Sequence, residues 1–147
     1  MDRFSRQTGF TLIELMVVLV IVGIASAAIS LSIRPDPGKA LRADAERLAQ
    51  VLQVAHSEVL ADGRSLYWQA DRDGYRFVRE GEVLHDDGPL RPWRWQAAPV
   101  SVQGLSRRGL PISAEWLGEP LRLVLASGAL RIDVLRDAAG QVEVRQP

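Results

Sequence analysis

The sequence predicts an α+β protein, with one long N-terminal helix, a membrane-suited half followed by an amphipathic half, packed on antiparallel β-sheet. Three observations carry that prediction. Residues 15–33 hold no charge, residues 39–61 repeat apolar side chains at spacings of three and four, and the chain beyond Gly63 alternates in short stretches separated by turn residues. The chain has 147 residues, so setting the apolar stretch aside leaves roughly 110 for one small body. Lys plus Arg and Asp plus Glu number 18 each. A net charge of zero gives no reason to expect nucleic acid as a partner. The absence of cysteine excludes disulfides, thiolate metal sites and thiol catalysis.

The first element is the apolar segment from Leu15 to Ile33. About 19 residues at 1.5 Å each make a helix of roughly 28 Å, close to the hydrocarbon thickness of a bilayer. Arg3 and Arg6 precede it, which puts the N-terminus in the cytoplasm and the body across the membrane. A secretory signal peptide has its cleavage site after the apolar core. Here Gly9 stands before it, and Ser26-Ala27-Ala28 is the conventional alternative. Glu14 is the discriminating residue, because a carboxylate at the centre of a spanning helix costs roughly 2.5 to 3.5 kcal/mol and less near its end. Two readings follow. Glu14 snorkels to the headgroups, or, if the chain is cut after Gly9, it pairs with the new amine on Phe10 of a neighbouring helix, each charge compensating the other in low dielectric.

The stretch Gly9 to Gly23, GFTLIELMVVLVIVG, resembles the leader and N-terminal helix of type IV pilins and type II secretion pseudopilins. It matches that family's pattern of a basic leader ending in Gly, then Phe, then Thr-Leu-Ile-Glu-Leu. The resemblance implies a cleaved leader of residues 1–9, cut by a prepilin peptidase between Gly9 and Phe10. It also implies N-methylation of Phe10 by the same enzyme, a role for Glu14 in helix packing within a filament, and a pilin-like fold.

A hydrophobic helix over 10–34 then gives way to a kink or hinge at 35–38, where Pro35, Pro37 and Gly38 interrupt helical hydrogen bonding. A head of residues 39–147 follows. In its helix, 39–62, Leu41, Ala45, Leu48, Leu52, Ala55 and Val59 form one apolar face, and Asp62-Gly63 ends it. Strands are expected between 65 and 145, at 65–70, 75–79, 82–85, 93–96, 100–103, 121–126, 130–135 and 142–145. The glycine-flanked basic stretch 104–109 reads as a mobile loop.

The run from Ala55 to Arg64, Trp68, the stretch Asp73 to Phe77, Leu90 to Trp95 and the closing hairpins resemble the H-type minor pseudopilins of type II secretion. That resemblance implies partners: the minor pseudopilins of I, J and K types, the major G-type subunit and the inner membrane, and assembly near a filament tip.

Few residues suggest chemistry. Asp71, Asp73 and Gly74 imitate the start of a calcium loop, but no later oxygen ligands follow, and a hairpin turn accounts for them. His56 has no acidic or His neighbour at helical spacing, so packing or surface is its expected role. Without a nucleophile, base and orienting group the sequence offers no enzyme, cofactor or metal site. Trp93 and Trp95 share a strand face by period two, filling the core or, with Arg94, anchoring a protein partner. Two alternatives remain open on these residues: a minor pilin of a type IV pilus, and a membrane-anchored periplasmic binding module that is never cleaved. Gly9→Val is expected to block processing, and a mature N-terminus found by mass spectrometry in that variant would remove Gly9 as the recognition residue.

Overall fold

The computed structural model describes residues 10–32, 36–85, 88–116 and 119–146. Two compact units divide at residues 35 and 36.

The first unit carries helix α1, Leu12–Ser32. Thr11 caps it: its Oγ1 accepts the Glu14 backbone N–H at 3.4 Å, and its carbonyl accepts from Glu14 and Leu15. Thr11 and Glu14 thus stand at the N-cap and N3 positions of a capping-box spacing, and the carboxylate sits in the first turn, where the helix dipole favours it. Every side chain of 12–27 is exposed. No helix among the described residues is long and apolar enough to cross a membrane.

The second unit opens with α2, Pro37–Asp62. It begins two residues earlier than the periodicity predicts, because Pro37 falls at the first helical position, where its missing N–H is not needed. Asp36 is the N-cap, accepting the Gly38 N–H at 2.9 Å. Gly63, at φ 73°, closes the helix by donating to the Val59 carbonyl, a left-handed position that glycine occupies without strain. One stripe is buried: Leu41, Asp44, Ala45, Leu48, Val51, Leu52, Ala55 and Val59, with Ala49 at its margin.

Nine strands follow among the described residues, all paired antiparallel: β1 Leu66–Ala70, β2 Gly74–Arg79, β3 Glu82–Val83, β4 Trp93–Arg94, β5 Ser101–Gln103, β6 Leu110–Ile112, β7 Leu121–Ser127, β8 Leu130–Arg136 and β9 Val142–Arg145. One sheet runs β3-β2-β1-β6, with β4 also on β2. The other runs β5-β7-β8-β9. The helix packs chiefly on β7, β8 and β9. Its stripe meets Leu123, Leu125, Ile132 and Val134 of the second sheet, and the same core continues to Trp68, Phe77 and Ile112 of the first. Burial of each of these large side chains stabilises the head by about 1.5–3 kcal/mol.

Two expectations change. The strand β6 was not legible, since Gly109 and Pro111 read as loop; proline is accommodated because β6 is an edge strand bonded only to β1. Nor is 104–109 a plain loop: Ser106 and Gly109 form a bridge, with the Ser106 Oγ donating to the Gly109 carbonyl.

Between the sheets runs an irregular stretch, 95–100, fixed at every side. The Asp44 carboxylate, 1% exposed, accepts the N–H groups of Gln96 at 3.0 Å and Ala97 at 2.9 Å. Trp95 and Val100 donate backbone N–H groups to the Asp73 and Arg72 carbonyls, and Ser127 Oγ donates to the Ala97 carbonyl at 2.7 Å. Asp44→Ala would leave two N–H groups without their acceptor and is expected to destabilise the head by about 2–4 kcal/mol. Asp44→Asn keeps one acceptor and should lose less. Burial raises the Asp44 pKa above its ordinary 3.8, outweighing the two N–H groups and the Arg47 charge that lower it. The native state therefore holds this proton to higher pH than the unfolded chain. The stability of the wild type relative to Asp44→Asn is then greatest below pH 3.8 and falls as pH rises through the folded-state pKa. Urea unfolding of the full-length protein in micelles, followed by tryptophan fluorescence, measures both effects. A flat difference across that range would contradict the assignment.

Candidate functional site

Two places gather the residues that the sequence singles out. Gly9 lies outside the described residues. Phe10 precedes α1 and is 83% exposed, and Glu14 is exposed in the first turn. Around Glu14 the helix is apolar on all sides: Leu12, Ile13, Leu15, Met16, Val17, Val18, Leu19, Val20, Ile21, Val22 and Ile24 are all exposed. A water-facing helix has one apolar stripe, and a helix apolar all round is covered by lipid or by other protein. Hydrocarbon surface of this kind is covered with no directional preference, and Glu14 is the one charged group in α1.

The second place is Trp93-Arg94-Trp95, which the structure divides. Trp95 is 4% exposed, its indole Nε1–H donating to the Asp71 carbonyl at 3.0 Å and its ring 4.9 Å from that of Tyr75. Tyr75 in turn meets Trp68 at 6.0 Å and Phe77 at 6.2 Å, so these four rings are one packed cluster. Burial raises the Tyr75 pKa. Trp93 is half-buried, with the Arg47 guanidinium 3.6 Å from its ring centroid and Arg91 at 5.9 Å, distances at which cation and ring attract. Arg94 is exposed. Both indoles lie on the core side, as period-two spacing predicts: Trp93 packs half-buried against the core and pairs in register with Tyr75, whose ring Trp95 meets, although β4 itself ends at Arg94.

Elsewhere, carboxylates are used for structure. Asp71 Oδ1 accepts the N–H groups of Asp73 and Gly74 at 2.9 Å each, bracing the hairpin turn before β2. Gly74 is required there, since a Cβ would stand 2.2 Å from the Trp93 carbonyl oxygen. Arg79 bridges to Glu58 at 3.4 Å and Asp62 at 3.2 Å, tying β2 to the end of α2. Asp62 has a lowered pKa, chiefly from the Arg64 backbone N–H. His56 lies beside Arg136 on the inner side of the second sheet, where burial first and that positive charge second lower its pKa. Among the described residues no group of three His, Asp or Glu side chains could hold a metal ion. The residue that sequence reasoning passed over is Asp44. Its spacing of three from Leu41 and four from Leu48 places it on the buried stripe, which is the signal that could have found it.

Residues 4–30 match the prokaryotic N-terminal methylation motif. The type II secretion system protein H of Pseudomonas aeruginosa is 32% identical over 139 residues, covering 87% of this chain and 80% of that protein. The chain belongs to the type II secretion system protein H family, a family of pseudopilins. A protein H from Aeromonas hydrophila is also 32% identical, over 96 residues, 65% of this chain and 48% of its own length. No solved structure matches the chain. The α+β arrangement, a helix followed by antiparallel sheets, is that of a pilin-like fold, and membership points to a structural part in secretion rather than catalysis.

For a protein H head organised in this way, Trp95 and Arg94 have separable roles. Trp95→Ala is expected to destabilise the head by about 3–5 kcal/mol through lost packing. Arg94→Ala should leave it within about 0.5 kcal/mol of wild type. Urea midpoints of the two variants check this, and equal losses would mean that Arg94 is part of the core scaffold.

Proposed function

We propose that this chain is a minor subunit of a short filament that drives protein export across the outer membrane. Prepilin peptidase cuts it between Gly9 and Phe10 and N-methylates Phe10. Before assembly it is held in the inner membrane by the hydrophobic helix of residues 10–34, with the N-terminus cytoplasmic and the head periplasmic. It then joins the I-, J- and K-type minor pseudopilins and the major G-type subunit near the filament tip. In this reading the protein's role is mechanical, and it has no catalytic or cofactor site.

The observation that supports this reading is the helix starting two residues after the cleavage position, apolar and exposed around its whole circumference, with a single carboxylate in its first turn. Such a stem is satisfied equally by hydrocarbon and by other stems, which is what a subunit moving from bilayer to filament requires. Glu14 decides between the two. Beside headgroups it is tolerated, whereas among packed stems it needs the Phe10 amine of a neighbour. On the head, the surface offered to a partner is Arg94 with the edge of Trp93, while Trp95 holds that strand from below.

N-terminal sequencing and mass measurement of protein isolated from its native membrane are expected to show N-methylated Phe10. Glu14→Val should be processed normally yet be reduced about tenfold in purified filaments, the equivalent of one lost ion pair of about 1.4 kcal/mol. An intact Met1 would refute processing, and full incorporation of Glu14→Val would refute the carboxylate-to-amine pairing.

A further inference from the structure

The core of the head is continuous, but its two sides differ in chemistry. On one side the stripe of α2 packs on Leu123, Leu125, Ile132 and Val134 of the second sheet, all aliphatic. On the other, the rings of Trp68, Tyr75, Phe77 and Trp95 pack on one another, and each belongs to the first sheet or to the stretch 95–100 that leads out of it. That stretch goes with the first sheet by most of its hydrogen bonds. The Trp95 and Val100 N–H groups donate to the Asp73 and Arg72 carbonyls, and the Trp95 indole donates to the Asp71 carbonyl.

Among the described residues no backbone-to-backbone hydrogen bond joins α2 and the second sheet to the first sheet and its stretch. Every hydrogen bond that crosses this seam uses a side chain. Asp44 holds the Gln96 and Ala97 N–H groups, Ser127 Oγ holds the Ala97 carbonyl, and Arg79 reaches Glu58 and Asp62. Arg47 adds its guanidinium over the Trp93 ring. Asp44 and Arg47 stand in the first half of α2, and Glu58 and Asp62 in its last turns. The seam is therefore held near both ends of the helix, at points about 27 Å apart.

We infer that the head opens at this seam: the first sheet and the stretch 95–100 come away and lose their order together, while α2 and the second sheet stay folded. The asymmetry follows from where the helix packs. A sheet with one apolar face needs an element over that face. Since α2 lies chiefly over β7, β8 and β9, the second sheet keeps its cover when the seam parts and the first sheet loses its own. Opening breaks the side-chain bonds of the seam and uncovers part of the core. It leaves the helix and the four-stranded ladder intact, so it costs less than unfolding the whole head. Asp44 and Arg79 act as the two latches: they set how often the first sheet is open without belonging to the backbone ladder of the opposite half.

Native-state hydrogen exchange of the full-length protein in micelles, read by peptide mass spectrometry at neutral pH, tests this. In the wild type the amides of β1 and β2 are expected to exchange as one group, faster than those of β7, β8 and the centre of α2. Two substitutions separate partial from global opening. Asp44→Asn weakens the closed head relative to the partly open and the unfolded forms alike, so it should speed both groups, by about tenfold each. Val134→Ala removes buried surface from the half that stays folded, so it should speed β7, β8 and α2 severalfold and leave β1 and β2 unchanged. Val144→Ala, half-buried on β9, is the gentler form of the same test should Val134→Ala fail to fold. Equal protection of the two groups in the wild type, or an equal gain in both with the valine variants, would mean that the first sheet opens only by global unfolding and overturns the inference. Faster exchange of β7 and β8 with Asp44→Asn while β1 and β2 stay unchanged would mean that the sheet opens without releasing Asp44, which overturns the latch.

Discussion

Two N–H groups held by one buried carboxylate decide how this head is put together. The Asp44 side chain leaves the apolar stripe of α2 to grip Gln96 and Ala97, in a stretch that belongs to neither sheet. Hydrophobic burial alone would draw the helix onto both sheets without specifying their relation, since it has no direction. Hydrogen bonds do have direction. The carboxylate fixes this stretch to the helix, the Trp95 and Val100 N–H groups fix it to the 71–73 turn and the Ser127 hydroxyl fixes it on a third side, and together these bonds set where one sheet ends and the other begins. The raised pKa of Asp44 is the electrostatic cost of that specification.

The elements with strong periodicity were legible. Spacings of three and four placed α2, and alternation between turn residues placed β1, β2, β7, β8 and β9 to within a residue or so. What was not legible depends on contacts distant in sequence. Pro111 and Gly109 argue for a loop by local rules, and only the edge beside β1 makes Leu110–Ile112 a strand. The shared side of Trp93 and Trp95 was legible from period two, whereas their different burial depends on the chain leaving the sheet after Arg94. Asp44 stood in the apolar stripe, visible as an anomaly, but its partners are more than fifty residues away.

Stem and head therefore follow opposite logics. In α1 the side chains are nearly all interchangeable hydrocarbon, and the Thr11 cap with Glu14 three residues on places its one charge in the first turn. In the head, the Asp44 carboxylate and the Trp95 indole have named partners, and directional specificity sits in a few hydrogen bonds of about 1 kcal/mol net each.

The proline at the middle of β6 has a consequence at higher concentration. A sheet edge with free N–H and C=O groups is a template on which another chain's strand can grow, and heads crowded along a filament meet edge to edge far more often than molecules in dilute solution. Pro111 is tolerated because its ring stands where an outward N–H would otherwise be. With that donor missing, a strand added on this side would form fewer backbone hydrogen bonds, which biases approaching neighbours towards side-chain contacts that form and release without fusing one fold to the next.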